Sequence, residues 1–118
     1  MAARTATVRT QDGSVVCERC VVARSPWLRM KGLLGRSELP GEEGILLEPA
    51  SSIHMFFMRF PIDAVFLDRE LTVLKVVPSL PPWRIASARG ARSVLELPAG
   101  TCERRGLREG DRLTLDQS

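Results

Sequence analysis

Short apolar stretches, rich in β-branched and aromatic residues and separated by turn residues, occupy most of this 118-residue chain and predict β-strands. The stretches 5–10 and 14–23 flank residues 11–13, where a glycine is available for a positive φ, and predict a β-hairpin. A second hairpin is predicted for residues 62–77, around the polar residues 68–70. Further strands are predicted at 44–48, 53–60, 94–97 and 112–115.

Helical signals occur in two places. Ser25-Pro26 offers an N-cap and a proline at the first helical position, and apolar residues then recur near a 3.6-residue period until Gly35, which predicts one short helix. A single helical turn capped by Thr101 is expected at residues 101–105. The proline-rich segment 78–83 suits neither a helix nor a central strand, so we expect an extended surface loop there.

The order of these elements indicates the fold class. About seven strands follow one another directly instead of alternating with helices, and 118 residues suffice for one hydrophobic core. We therefore predict a mainly β protein, of the α+β kind with one clear short helix. Its single domain spans residues 1–118 as a curled antiparallel sheet or a small β-barrel.

Composition bears on the location of the protein. The chain lacks a run of about 18 apolar residues that would span a bilayer, and its first residues lack the apolar core of a secretory signal. These observations predict a cytoplasmic protein that is not associated with a membrane. The three cysteines are an odd number in a chain that burial alone can stabilise, so we expect reduced thiols. We expect no cofactor, and a monomer or weak dimer.

The basic residues are mostly arginine. The net charge is +3, and it divides into +4 for residues 1–40, −3 for 41–83 and +2 for 84–118. The planar guanidinium group suits bidentate contacts with anions, although genome composition or heat adaptation would produce the same bias. Because the centre of the chain is acidic and tyrosine is absent, nucleic-acid binding ranks last among the functions considered.

Three polar side chains interrupt the most apolar run of the chain, residues 53–68. They are His54, Arg59 and Asp63, and burying them without partners would be costly. One hypothesis is structural, with His54 in the core and an Arg59–Asp63 ion pair across a bend at Pro61. The other hypothesis places all three at a pocket, where the carboxylate orients the guanidinium or the imidazole.

Other candidate groups lie outside this run. Cys17 and Cys20 form a C-x-x-C pair, but residues three apart on a regular strand point to opposite faces, so we expect neither a metal site nor a redox pair. Glu96 is expected on the solvent face of its strand. Trp83 and Arg84 follow the proline-rich segment, and they either stack on a planar ligand or cover the end of the sheet.

Five pieces in order, KGLLGR, GILLEP, IHMFFMRFPIDAVFLD, PWR and VLELPAG, resemble the family known as domain of unknown function 192 over about residues 21–113. The resemblance implies a compact, mostly β single domain and brings no established reaction. The Cys17/Cys20 pair lies outside the family pattern. The positions that match the pattern are Gly32, Leu33, Arg36, His54, Met58, Arg59, Pro61, Asp63, Asp68, Trp83, Arg84, Glu96, Pro98 and Gly100.

Two main functions are compatible with these residues. The first is a binding module whose groove accepts a small anionic or planar ligand, or a peptide end. The second is a hydrolase-like enzyme in which Asp63 orients His54 as a general base, although neither a nucleophile nor a metal is recognisable. The candidate ligand-binding residues are Arg36, His54, Arg59, Asp63, Trp83 and Arg84.

Overall fold

A computed structural model describes residues 4–25, 33 and 35–117 of the protein. The helix predicted at 25–35 falls almost wholly outside the described residues. The described part contains nine strands and one short helix. The strands are β1 (Arg4–Thr10), β2 (Val15–Ala23), β3 (Glu43–Leu47), β4 (Ser52–His54), β5 (Ile62–Leu67), β6 (Val73–Leu80), β7 (Ile85–Ser87), β8 (Ser93–Pro98) and β9 (Leu113–Gln117), and the helix is α1 (Thr101–Arg105).

Seven strands form one curled sheet in the order β6-β5-β8-β3-β2-β1-β9, and β4 pairs with β7 in a second, two-stranded sheet. The two edges of the large sheet meet at one end, where the Val73 N–H donates to the Asp111 carbonyl at 2.8 Å and the Leu113 N–H donates to the Leu71 carbonyl at 2.9 Å. The sheet is therefore a curled half-barrel, which confirms the predicted mainly β class. In the described residues, no helix is long and apolar enough to cross a membrane.

Several local predictions need correction. Strands β2 and β3 are parallel, so the sheet is not purely antiparallel. The strand predicted at 53–60 ends at His54, and the chain turns at Phe57, whose φ is 65°. Strand β6 continues through Pro78 to Leu80, into the predicted loop, and β7 was not predicted. Gly100, and not Thr101, occupies the N-cap position of α1.

Both faces of the central strands are buried, which explains their nearly continuous apolar sequences. Successive residues of β5 point alternately into two core clusters. The first core cluster contains Val65 and Leu67 together with the three cysteines. The second contains Ile62 and Phe66 together with side chains from β4, β7 and the turn between β4 and β5. The small sheet and this turn therefore cover one face of the large sheet.

A β-bulge in β2 changes the direction of two thiols. Ala6 pairs with Cys20 and Val8 pairs with Cys17, so a two-residue step on β1 opposes a three-residue step on β2. Consequently Cys17 and Cys20 are both buried in the first core cluster, whereas Glu18 and Arg19 are both exposed. The expectation that the two thiols point to opposite faces is wrong, because it assumed a regular strand.

Gly44 allows a close approach between β3, β8 and β2. A Cβ atom at this position would lie 2.9 Å from the Glu96 carbonyl oxygen and 3.0 Å from both Cys17 Sγ and Leu97 Cδ2. We expect Gly44→Ala to lower the free energy of unfolding by about 1–3 kcal/mol, because overpacking forces these neighbours apart. Chemical denaturation measures the effect.

The matched control is Gly41→Ala, because a Cβ at Gly41 meets nothing within 4 Å and its φ is not in the left-handed region. We expect this variant to be as stable as the parent. Equal stability of the two alanine variants would contradict the close packing at Gly44.

Candidate functional site

The small sheet brings two turns together. In the β4–β7 ladder His54 lies opposite Ile85. Just beyond the ladder, the Met55 N–H donates to the Arg84 carbonyl and the Trp83 N–H donates to the Met55 carbonyl, each at 2.7 Å. These hydrogen bonds hold the turn that follows β4 beside the turn that precedes β7.

Aromatic rings from the two turns form one exposed group. The imidazole of His54 stacks on Phe56 with ring centroids 4.8 Å apart, and Trp83 lies 5.9 Å from Phe56 and 4.9 Å from Phe57. Phe57 is 72% exposed, Trp83 58% and Ile85 65%. Contiguous apolar surface of this kind marks binding sites more often than isolated exposed residues do. The aromatic surface consists of His54, Phe56, Phe57, Trp83 and Ile85.

The backbone of this surface is strained. Phe57 and Trp83 adopt φ values of 65° and 69°, in the left-handed region that bulky residues rarely enter. Such a conformation costs of the order of 1–2 kcal/mol per residue. Core burial cannot be the reason, because both side chains are largely exposed. The strain instead accompanies two exposed rings that contact each other at an angle of 60°, and strained residues of this kind cluster at functional sites.

The surroundings of the aromatic surface are basic. Arg59 and Arg84 are exposed, and neither forms an ion pair with any residue that the structure describes. The two segments that build the surface, 51–62 and 78–92, contain no aspartate or glutamate. Both guanidinium groups are therefore available to an anion.

His54 is exposed at the edge of the surface, and its Nδ1 accepts a hydrogen bond from the Phe56 N–H at 3.4 Å. The hypothesis of a core histidine is therefore wrong. Nε2 has no hydrogen bond within the described part of the chain. The ring is accordingly placed to contact a bound molecule with its free edge.

Asp63 lies apart from these residues, fully buried on β5. Its carboxylate accepts hydrogen bonds from three backbone amides, those of Ser79 at 2.9 Å, Gly100 at 3.2 Å and Cys102 at 2.9 Å. The expected Arg59–Asp63 ion pair is absent among the described residues, and no hydrogen bond joins Asp63 to His54. The pocket hypothesis for Asp63 is also wrong, because strand alternation turns its side chain toward the first core cluster.

The amides that bind Asp63 belong to the end of β6 and the start of α1, so Asp63 is a structural anchor. It also affects a neighbouring thiol. Burial, together with the adjacent Asp63 carboxylate, raises the pKa of Cys102 to about 12. Cys102 is consequently held as a neutral thiol.

Two further predicted residues lie elsewhere. The Arg36 guanidinium pairs with the Glu43 carboxylate at 3.2 Å, at the start of β3. Glu96 is only 6% exposed, in a ladder between Ile45 and Ala64, so its predicted position on a solvent face is wrong. The error arose because β8 is covered on both faces. Burial raises the pKa of the Glu96 carboxyl to about 7.

The structure thus brings together His54, Trp83 and Arg84, places Arg59 in the adjoining turn, and separates Arg36 and Asp63. The apolar run 53–60 predicts a strand at Phe56 and Phe57, and the sequence pattern does not mark Ile85 as a site residue. The available signal was the sequence Phe56-Phe57-Met58, because consecutive bulky residues cannot all point into one core face. Within the described ranges, no group of three or more His, Cys, Asp or Glu side chains is arranged to hold a metal ion.

The protein is thus a small β half-barrel that displays exposed aromatic side chains on its two-stranded sheet and the adjoining turns. The sequence pattern of the DUF192 family, described as Uncharacterized ACR, matches residues 7–115. The chain belongs to this family.

Two curated proteins match part of the chain. The chain is 47% identical over 51 residues to a UPF0127 protein of Pyrococcus abyssi, covering 42% of this chain and 43% of that protein. It is 39% identical over 69 residues to a UPF0127 protein of Pyrococcus furiosus, covering 53% and 54%. These matches span only about half the length of the curated relatives.

Two solved structures share the whole fold. A Sinorhizobium meliloti protein described as a "putative transcription regulator" has a TM-score of 0.83 and 26% identity, covering 97% of this chain and 94% of that one. A protein of unknown function from Novosphingobium aromaticivorans has a TM-score of 0.80 and 28% identity, covering 93% and 83%. The half-barrel is therefore shared with these two proteins.

Proposed function

We propose that this protein is a binding module that holds a small planar anion on its aromatic surface. The observation that carries the proposal is the exposed cluster of rings from Phe56, Phe57 and Trp83. The adjoining turns also carry Arg59 and Arg84, neither of which forms an ion pair within the described part of the chain. A planar ligand would stack on these rings, and such stacking contributes about 1–3 kcal/mol per ring system.

The charge of the site favours an anion. A guanidinium group binds a carboxylate or a phosphate through two parallel hydrogen bonds. Arg84 directly follows Trp83, and Arg59 directly follows the turn that carries Phe57 and Met58. No acidic residue of either surface-building segment competes with a ligand for these two cations.

The geometry gives no support to the hydrolase alternative. Asp63 would have to orient His54, but its carboxylate is enclosed by three backbone amides. Single-stranded nucleic acid also combines planar bases with anionic phosphates, and one structural neighbour is described as a "putative transcription regulator". This second candidate is distinguished from the first by the size of the molecule bound and by the salt dependence of binding.

The test compares three probes. Adenosine monophosphate is a planar anion, adenosine is planar and neutral, and inorganic phosphate is an anion without a ring. We expect adenosine monophosphate to bind more tightly than either of the others in isothermal titration calorimetry. In a Trp27→Phe background it should also quench the fluorescence of Trp83, since the chain has two tryptophans.

Two variants locate the binding. Trp83→Gly removes the indole and suits the φ of 69° at this position, so the fold should be retained. We expect it to weaken binding of adenosine monophosphate by about tenfold or more. Arg84→Gln should weaken binding of adenosine monophosphate but not of adenosine. Arg112→Gln is the matched control. Arg112 is not part of the aromatic surface, and its guanidinium pairs with the Glu70 carboxylate at a distance of 3.5 Å.

Three results would contradict the proposal. The first is equal binding of adenosine and adenosine monophosphate, which would leave the arginines without a role. The second is an affinity of Trp83→Gly equal to that of the parent. The third is much tighter binding of a short single-stranded oligonucleotide that weakens steeply with added salt, which would assign the surface to nucleic acid.

A further inference from the structure

The β2 bulge creates a second chemical group away from the aromatic surface. Cys17 and Cys20 are 1% and 0% exposed, and both belong to the first core cluster. The Cys17 thiol donates to the Glu42 carbonyl at 3.6 Å and the Cys20 thiol donates to the Val21 carbonyl at 3.8 Å. The two thiols are also close enough for each to change the pKa of the other. Neither thiol takes part in the proposed function.

The spacing of the pair follows from the ladder. A strand advances about 3.4 Å per residue, so the Cα atoms of Ala6 and Val8 are about 6.8 Å apart. Because Cys20 and Cys17 lie directly opposite them, the Cα atoms of the two cysteines have a similar separation. A disulfide tolerates Cα separations up to about 7 Å. In a strand without the bulge, the two side chains would point to opposite faces.

The two thiols differ in acidity. Interaction with the neighbouring Cys20 thiol, helped by the Arg19 backbone and charge, lowers the pKa of Cys17 despite burial and the nearby Glu43 carboxylate. Interaction with Cys17, together with burial, raises the pKa of Cys20. Cys17 therefore resembles a thiol that attacks an oxidant first. Cys20 resembles the protonated thiol that reacts with the oxidised Cys17 in a second step.

Cys17 is buried beneath a single surface turn. Its thiol donates a hydrogen bond at 3.6 Å to the carbonyl of Glu42, an exposed residue in the turn before β3. On the side of Cys17 that faces β3, Gly44 has no side chain and so leaves room for the Cys17 sulfur. Opening this turn would uncover Cys17 without separating β1 from β2.

We propose that Cys17 and Cys20 close a reversible intramolecular disulfide in response to a peroxide. The Cys17 thiolate attacks one peroxide oxygen, the O–O bond breaks, and Cys17 becomes a sulfenic acid while hydroxide leaves and takes up a proton. The Cys20 sulfur then attacks the Cys17 sulfur, the S–O bond breaks, and the leaving hydroxide takes the Cys20 proton. Overall the two thiols lose two protons and two electrons, and the peroxide is reduced to two waters.

The experiment treats the full native chain with hydrogen peroxide and counts free thiols by alkylation and intact-mass spectrometry. We expect the three thiols to fall to one, with a Cys17–Cys20 crosslink in the peptide map and full recovery on adding a dithiol reductant. Cys102→Ala should give the same crosslink. Cys17→Ser should slow the loss of thiols by about tenfold or more, because burial raises the pKa of both remaining thiols.

Cys20→Ser provides the second arm. Without a resolving thiol, Cys17 should accumulate as sulfenic acid, which a dimedone probe labels. Accumulation of sulfenic or sulfinic acid on Cys17 in the parent chain would overturn the proposal. So would a crosslink that involves Cys102 or joins two chains, or oxidation only in denaturant. The measurement on the parent chain keeps the test decisive even if a serine variant fails to fold.

Discussion

Asp63→Asn is expected to lower the free energy of unfolding by about 3 kcal/mol or more. The carboxylate is fully buried and accepts hydrogen bonds from the amides of Ser79, Gly100 and Cys102. Asparagine has nearly the same shape, but its NH₂ group would face an amide donor, so at least one buried N–H would lose its acceptor. Urea denaturation followed by circular dichroism measures the loss.

A surface aspartate provides the comparison. Asp116 forms an ion pair with Arg9 at 2.9 Å, and its side chain is 60% exposed. Because exposed pairs contribute little, we expect Asp116→Asn to cost less than about 1 kcal/mol. If both asparagine variants lose the same stability, Asp63 does not anchor the end of β6 to the start of α1.

Glu96→Gln is expected to stabilise the protein at pH 8 by up to about 3 kcal/mol and to have little effect at pH 4. Burial raises the pKa of Glu96 from 4.5 to about 7 in the folded state. Below pH 4.5 the Glu96 carboxyl is protonated in both the folded and the unfolded chain, so burying it does not lower the free energy of unfolding. Between these two values the unfolded chain ionises first and stability falls. Above pH 7 the full penalty applies, at about 1.4 kcal/mol per pKa unit.

Thermal unfolding of the parent and the variant from pH 4 to pH 9 tests this expectation. The control is Glu109→Gln, because Glu109 is exposed in the folded protein. We expect that variant to follow the parent at every pH. A constant difference between Glu96→Gln and the parent over the whole range would show that Glu96 does not carry the pH dependence.

The aromatic surface and the cysteine pair lie in different parts of the half-barrel. The aromatic surface is built on the small sheet and its turns, which cover the second core cluster. The cysteine pair lies in the first core cluster, on β2. Oxidation of the pair and binding at the aromatic surface can therefore be measured separately, and the failure of one proposal would not affect the other.

Local sequence patterns predicted much of the fold. The first hairpin, the second hairpin, β3, β8 and the helical turn at α1 all occur where the apolar stretches and turn residues placed them. These predictions succeeded because their signals are short-range: side chains alternate along a strand, and glycine or aspartate marks a turn. The same local reasoning failed at residues 55–58, where the apolar residues belong to a strained turn.

The sequence by itself determined the mainly β class, most of the strands and the unusual position of polar residues within the run 53–68. Only the tertiary structure decided the partners of those residues. It buried Asp63 among backbone amides, left His54 and Trp83 exposed in one surface, and turned Cys17 toward Cys20. Each of these outcomes depends on which strands pair, in which register, and on which faces other elements cover. Those choices involve residues far apart in the chain, so no local pattern contains them.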